Sequence, residues 1–542
     1  MGYAHEYADA ILHRGRIPME PVDFVPDWVD RPRKAKFYPG AQTLPLPDPA
    51  SATGAGPQFT LPLLSGMLQD SYGLTGRRLG VQANTDLAAL PHYTQANWSR
   101  GTASGGGLYP VSVYWAAGPG APVTPGLYHY APHQHGMRRL LTGDVTGEVR
   151  RVLGAEGGEG PESAAGSAGS AGSAHGPLAA AAGCSQYLVL GVKYWQNSFK
   201  YNSFSFHAVS MDVGALLQTW RLWAAARGLR IAPVLWFDEE RLARLLGVEA
   251  REEGVFAVVP LEWAGSTARS AAGAAAPVTD PGPVVLHRDS ERSRAVLEFD
   301  TLERIHEATL GRAADRPAPG ALDAAAAFPV RGGAPVPLPP PAVAPLGVER
   351  ALRARRSSFG RFDASRAVTA GQLAAALADC AATSVGSEAE RPGGPRLTAL
   401  YAFVNHVEGV APGAYAYDPQ AHALRPVVPG PPGPFLQRNY FLSNYNLEQA
   451  GAVIVPTVRT TAVLDAVGDR GYRLVNAAVG AVAQTFYTTA AAHGLGAGVA
   501  LGFDNVSYVE ELGLTGSDEA PLLIMLLGHE RPLPADFRHE IA

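Results

Sequence analysis

A long internal repeat constrains this chain more than any other feature. Pro125-Gly126-Leu127-Tyr128-His129-Tyr130, followed by Pro132, His135 and Leu140, returns as Pro412-Gly413-Ala414-Tyr415-Ala416-Tyr417, followed by Pro419, His422 and Leu424. Arg227-Gly228-Leu229, Phe237-Asp238 and Leu246-Gly247 return as His493-Gly494-Leu495, Phe503-Asp504 and Leu512-Gly513. The offset is 287 residues for the first set (125 to 412) and 266 for the second (228 to 494). A unit this long is a duplicated domain, not a solenoid of short repeats. Places where the two copies differ should mark the chemistry.

Composition narrows the class. At 542 residues there is room for two or three domains, each with its own core. Hydrophobic content of 46% and charge of 17% read as globular, and a net charge of −5 gives no electrostatic case for nucleic acid or an anionic membrane surface. Two cysteines, Cys184 and Cys380, are too few for a disulfide scaffold or a thiolate zinc site and lead us to expect a reducing cytosol. His129, His133 and His135 cluster, but no carboxylate or cysteine joins them at ligand spacing, so no metal is assigned. The opening MGYAHEYADAILHRGR lacks the apolar stretch of a signal peptide, and no apolar run reaches the roughly 18 residues of a membrane span.

The expected organisation follows from breaks in periodicity. Residues 1–59 are a proline-rich arm with one helix around Tyr7 to His13. Residues 60–265 form the first domain. They contain a low-complexity insert, 154–177, too poor in apolar groups to offset the entropy of ordering. The 21-residue change in offset matches an insertion there. Residues 266–346 are a Pro/Ala/Gly-rich linker ending in a semi-rigid PVPLPPPAVAP spacer, with one helical stretch from Ala295 to Thr309. Residues 347–535 form the second domain. Half two opens with helices from Val348 to Arg355 and from Gln372 to Cys380, and each domain then reads as strand, Pro-Gly turn, strand, buried strand, long apolar helix (Ala208 to Arg227; Leu474 to His493) and closing strand (Val255 to Val259; Leu522 to Leu526). The class is α+β, with helices on a mixed sheet.

Three groups of residues carry chemistry. Arg355-Arg356-Ser357-Ser358-Phe359-Gly360-Arg361-Phe362 offers arginines and a hydroxyl suited to a phosphate dianion. Arg100-Gly101-Thr102-Ala103-Ser104-Gly105-Gly106-Gly107-Leu108-Tyr109-Pro110 offers a serine hydroxyl and an open backbone that a ligand can approach closely. Phe199-Lys200-Tyr201-Asn202 offers a base and a phenol side by side. Together with the Pro-Gly-x-Tyr-x-Tyr turns, these resemble the nitroreductase superfamily of FMN proteins. They are most similar to its SagB- and McbC-type azoline dehydrogenases, with Ala103 where that family has proline and Asn202 where it has glycine.

The resemblance implies two tandem nitroreductase-like, FMN-binding domains forming an intramolecular pseudo-dimer. In the family the flavin sits between subunits, with Arg-Arg-Ser from one and Ser-Gly-Gly from the other. Here the second copy keeps the first motif and the first copy keeps the second. Against Arg355, half one offers only Arg77-Arg78; against Ser104, half two has Arg391-Pro392-Gly393-Gly394-Pro395-Arg396. One FMN site is therefore expected, built from Arg355, Arg356, Ser357, Arg100, Ser104, Gly105 and Gly106, with Gly494, Leu495 and Gly496 lining the ring. The 266 offset sets Lys200 and Tyr201 against Ala466 and Val467, so only half one carries that pair. The resemblance makes Lys200 and Tyr201 the catalytic base and proton carrier, with Lys193-Tyr194 as a competing register.

The implied function is oxidation of thiazoline or oxazoline rings of a peptide to thiazoles or oxazoles, with dioxygen as terminal acceptor. The implied partners are the modified precursor peptide and a cyclodehydratase complex, and a tandem chain can still form a homodimer. Two alternatives stay open: a nicotinamide-dependent nitro or quinone reductase, and a flavin-free scaffold of a biosynthetic complex.

Overall fold

The computed structural model describes residues 2–48, 56–82, 92–154, 177–265, 282–327, 331–532 and 536–541. Residues 155–176 of the expected insert and 266–281 of the expected linker lie outside these residues.

Each half is built on an antiparallel sheet rather than the mixed one expected, and the two sheets run in the same order. In half one the strands lie as Thr43–Pro45, Gly136–Thr142, Gly126–Ala131, Val111–Ala117, Gln186–Lys193 and Glu253–Pro260. In half two they lie as Val336–Pro337, Ala423–Pro429, Gly413–Asp418, Thr398–Val404, Ala452–Arg459, Ile524–Gly528 and Gly496–Ala500. The central strands are runs such as Gln186–Lys193 (QYLVLGVK), with seven of eight positions buried. Burial on both faces removes the alternation expected of a half-exposed strand.

The copies differ at one edge. Shifted by 266, Gly496–Ala500 falls on Arg230-Ile231-Ala232-Pro233-Val234. There only a single bridge, Val234 to Val258, remains. Pro233 has no N–H to give to a ladder, which explains the lost strand. The closing strand Glu253–Pro260 is split in half two into Glu519–Pro521 and Ile524–Gly528. The strand expected at Leu522 to Leu526 is thus displaced. The proline-rich linker is also more than a spacer: Val336–Pro337 pairs with the edge of half two's sheet, as Thr43–Pro45 of the arm pairs with that of half one.

The long helices Ser205–Ala225 and Gly471–Ala492 cross at the junction of the halves and are buried almost throughout. Their contact is reciprocal. A Cβ on Gly214 would run into the carbonyl of Ala477, and a Cβ on Gly480 into the carbonyl of Met211. Gly480 and Ala477 are the 266-shifted counterparts of Gly214 and Met211. Small residues let two helix backbones approach, and the same two positions do it from each side. Around this crossing, His207 Nδ1 meets Tyr472 Oη at 2.8 Å. Glu239 of half one pairs with Arg470 (2.7 Å) and Arg473 (2.9 Å) of half two. The arm's helix, Tyr3–His13, packs Tyr7 edge-on against Tyr472, ring centroids 5.4 Å apart. The final strand, Asp536–Glu540, adds to the Gly76–Gln82 strand of half one's hairpin.

Candidate functional site

The helix Val348–Ala354 stops at Arg355, whose ψ of 133° turns the chain out of the helix. Arg355 is buried. Its Nη2 donates to the Arg100 carbonyl of half one at 3.0 Å, and its guanidinium stands 5.1 Å from the centre of the Tyr487 ring. Its Nε is buried with no hydrogen-bond partner among the described residues. Ser357 Oγ meets Tyr487 Oη at 2.8 Å. Arg356 and Ser358 both bond the Glu530 carboxylate, and Arg361 lies 3.9 Å from it.

Ser358 also fixes the glycine strand. Its N–H donates to Ala497 O at 2.8 Å, and its Oγ accepts from Ala497 N at 3.0 Å. Gly496 is packed so closely that a Cβ would lie 2.5 Å from Glu530 Cγ. One on Gly498 would lie 2.5 Å from the Tyr445 ring. Gly494 stands apart: it is exposed, with φ 67° and open space around it, and ends the long helix. Leu495 is buried in the core. Of the three residues expected to line a ring, only Gly496 reaches the arginine cluster.

The Arg100 to Pro110 loop meets this cluster from the other half. The Arg100 side chain is spent within half one. It donates to Tyr72 O at 2.9 Å and lies between the Tyr72 and Tyr109 rings, 4.9 and 4.3 Å from their centres. The position where the family has proline acquires a reason here. Ala103 N donates to Gln484 Oε1 of half two at 2.9 Å, and Gln484 Nε2 donates to Gly101 O at 3.1 Å. With proline at 103 the first bond would be lost and only the second would remain. Ser104 and Gly105 do not present free donors, contrary to the expectation of an open backbone. Ser104 Oγ donates to Asp212 Oδ2 at 2.6 Å, and Gly105 N donates to Asp212 Oδ1 at 2.8 Å. Burial pushes the Asp212 carboxyl up to about 7, against these two bonds, which pull it down.

Gly106, with φ 62°, carries the loop past the Lys-Tyr pair. A Cβ there would strike Tyr201 Oη and lie 3.0 Å from Lys200 Nζ. Lys200 Nζ sits 4.6 Å from the Tyr201 ring centre and 5.8 Å from that of Trp28, which the N-terminal arm brings in. Asn202 has φ 41° and ψ −130°, a conformation that glycine adopts most readily, which is the reason glycine suits this place. The competing pair is otherwise engaged: Lys193 binds Asp289 and Glu291 at 2.5 Å each, and Tyr194 Oη meets His306 Nδ1 at 2.8 Å.

Two sequence-level expectations need correction. Arg77 and Arg78 lie on the Gly76–Gln82 strand and are not half one's equivalents of Arg355 and Arg356. The 287 offset sets Leu68, Gln69 and Asp70 there, and Asp70 is held by Arg353 (3.1 Å) and by Trp223 Nε1 (2.9 Å). The cluster also includes Asp212, Gln484 and Trp28, which motif reading missed, and Glu530, an acid within the Gly528-His529-Glu530-Arg531 segment where the resemblance implies a basic group near the phosphate. Asp212 left a trace, a lone acid in an apolar helix whose 266-shifted partner is Ala478. Trp28 left none, being 172 positions from Lys200.

The donor set fits an anionic cofactor such as FMN. Arg355, Arg356, Ser357 and Ser358 lie together with Tyr487, and Arg356 and Ser358 donate to the anionic oxygen pair of Glu530. A phosphate would share those two residues with Glu530.

Residues 352–529 match the model of the Nitroreductase family. A nitroreductase-like protein of Methanocaldococcus jannaschii is 34% identical over 139 residues, 24% of this chain and 64% of the relative. The chain thus spans less than two thirds of that relative's length. A solved nitroreductase-like structure from Anabaena variabilis shares the fold over 98% of this chain and 100% of its own, with a TM-score of 0.71 at 21% identity. A chain of the E. coli microcin synthetase McbBCD complex, solved with truncated pro-MccB17, aligns over 33% of this chain and 70% of its own, with a TM-score of 0.29 and 18% identity. The family match is thus confined to residues 352–529, and the fold of the Anabaena structure extends over nearly the whole chain.

Proposed function

We propose that this protein is an FMN-dependent oxidoreductase that converts thiazoline or oxazoline rings of a modified precursor peptide to thiazoles or oxazoles, with dioxygen as terminal acceptor and a cyclodehydratase complex as partner. The two halves act as an intramolecular pseudo-dimer with one complete site. The observation that carries the reading is that Lys200 and Tyr201 lie against the glycine loop of half one, while Arg355 of half two bonds the start of that same loop.

Arg355, Arg356, Ser357 and Ser358 would hold the phosphate, and the bound flavin supplies a two-electron acceptor. The chain's own residues handle the proton. Aromatisation of an azoline removes a hydride equivalent and one further proton, so a base beside the ring carbon is needed. Lys200 makes no ion pair among the described residues, and the Tyr201 hydroxyl faces the same glycine of the loop, where it would serve as a relay. The chain has only four lysines, Lys34, Lys36, Lys193 and Lys200, among 44 basic residues. Lys36 and Lys193 are locked in ion pairs with acids. A lysine stands here in a chain that otherwise uses arginine.

The test combines absorbance and turnover. The purified protein should show a flavin band near about 450 nm, after FMN addition if needed, and oxidise an azoline peptide. Lys200→Ala should lower turnover by at least about 100-fold with flavin still bound. Unchanged turnover in Lys200→Ala, or no flavin band under any loading, overturns the reading. Rapid bleaching by NADPH without peptide would favour nicotinamide-dependent reduction instead.

A further inference from the structure

Asp212 is a buried carboxyl with no ion pair among the described residues, placed in the middle of an apolar helix. Such a group is costly unless its position serves something. Its two oxygens are both used on one loop: Oδ2 accepts from Ser104 Oγ and Oδ1 from Gly105 N. Ser104 Oγ in turn accepts from Tyr109 N at 2.9 Å, so the carboxyl ties together both ends of the segment 104–109. That segment needs a clamp. Gly106, Gly107 and the non-glycine Tyr109 all have positive φ (62°, 66° and 53°), and strained backbone persists only where its surroundings over-determine it. The clamped loop is the one whose Gly106 abuts Lys200 Nζ and Tyr201 Oη.

The repeat gives an independent argument. In half two, Ser104, Lys200, Tyr201 and Asp212 are replaced by Arg391, Ala466, Val467 and Ala478. All four are present in one copy and absent in the other. A residue that served only general packing of the long helix would have no reason to follow that pattern.

We propose that Asp212 is a positioning residue that, through Ser104 and Gly105, holds the glycine loop against Lys200 and Tyr201. Its bearing on turnover rests on the oxidase reading above; its bearing on geometry does not. Lysine-selective acylation followed by peptide mass spectrometry reads the geometry directly, since Lys36 and Lys193 are in ion pairs and exposed Lys34 serves as internal reference. Asp212→Ala and Ser104→Ala should raise the labelling rate of Lys200 several-fold relative to Lys34. Asp212→Asn, which keeps an acceptor for Gly105 N, should fall between. On an azoline peptide, kcat should drop about 10- to 100-fold in Asp212→Ala, with KM within about twofold of the unaltered protein. If Asp212→Ala does not fold, Ser104→Ala and Asp212→Asn carry the test. A Lys200 labelling rate unchanged in the folded variants overturns the proposal. Absent turnover in the unaltered protein would sink the oxidase reading and leave the labelling result to decide this one.

Discussion

Ala103 gives its N–H to Gln484 across the junction of the halves, a bond that proline could not make. Ala103→Pro should therefore cost about 1–3 kcal/mol, because the fully buried Gln484 loses a donor, whereas Ala103→Ser keeps the N–H and should cost less than about 0.5 kcal/mol. Urea midpoints of the two variants check this, and equal midpoints would show that the bond contributes nothing. Asp212 makes a prediction about pH. Its folded value, raised by burial to about 7, lies above the unfolded carboxylate value of roughly 3.9. The folded state therefore holds an extra proton between these values. The associated stability is complete below about pH 4 and is lost as pH rises through about 7. Tyr72 and Arg100, stacked beside the loop, are the neighbouring titratable and charged groups, with Tyr109. Asp212→Asn should shrink the fall in Tm between about pH 5.5 and 8.5 by the equivalent of up to about 2 kcal/mol. An identical fall in both proteins would place the Asp212 titration elsewhere.

Among the elements, the crossed helices Ser205–Ala225 and Gly471–Ala492 matter most. Gly214 and Gly480 each sit against a carbonyl of the opposite helix, so an added methyl meets backbone and cannot be relieved by a rotamer change. Gly214→Ala and Gly480→Ala should each destabilise the protein by about 1–3 kcal/mol, and by similar amounts because the contact is reciprocal. Chemical denaturation measures both; an unaffected midpoint in either would mean the helices can separate without cost. Much at this scale was legible in the sequence. The helix starting at Val348, the helix over Gln372 to Cys380 and the paired central helices follow from apolar spacing and lie where expected. Less legible was the edge of each sheet. Pro233 marks a lost strand only once the glycine strand of the other copy is seen at the same offset. The short strands of the arm and linker have too few residues to show a period.

For the molecule as a whole, the proposed site draws its residues from both halves. The arginine cluster belongs to half two, the loop and the Lys-Tyr pair to half one, and the C-terminal strand Asp536–Glu540 returns to half one's hairpin. The opposite junction carries Leu68, Gln69 and Asp70 in place of the arginines and serine, and Arg230 and Ala232 in place of Gly496 and Gly498. A tightly bound flavin should thus be found at one per chain, measured by absorbance after denaturation against protein concentration. A value of two would show that the second junction binds as well, and a value of zero after loading would leave a scaffold.

The sequence by itself determined the duplication, the α+β class, the order of elements and the unequal loss of motifs between copies. Each of these is written in local patterns or in the offset of one copy from the other. Only the tertiary structure decided that Arg100 turns its side chain inward, that Ser104 and Gly105 are spent on Asp212, and that Trp28 of the arm faces Lys200. Those outcomes depend on which groups meet across 28 to 172 residues of chain, and a buried donor takes whatever acceptor the packing brings within about 3 Å.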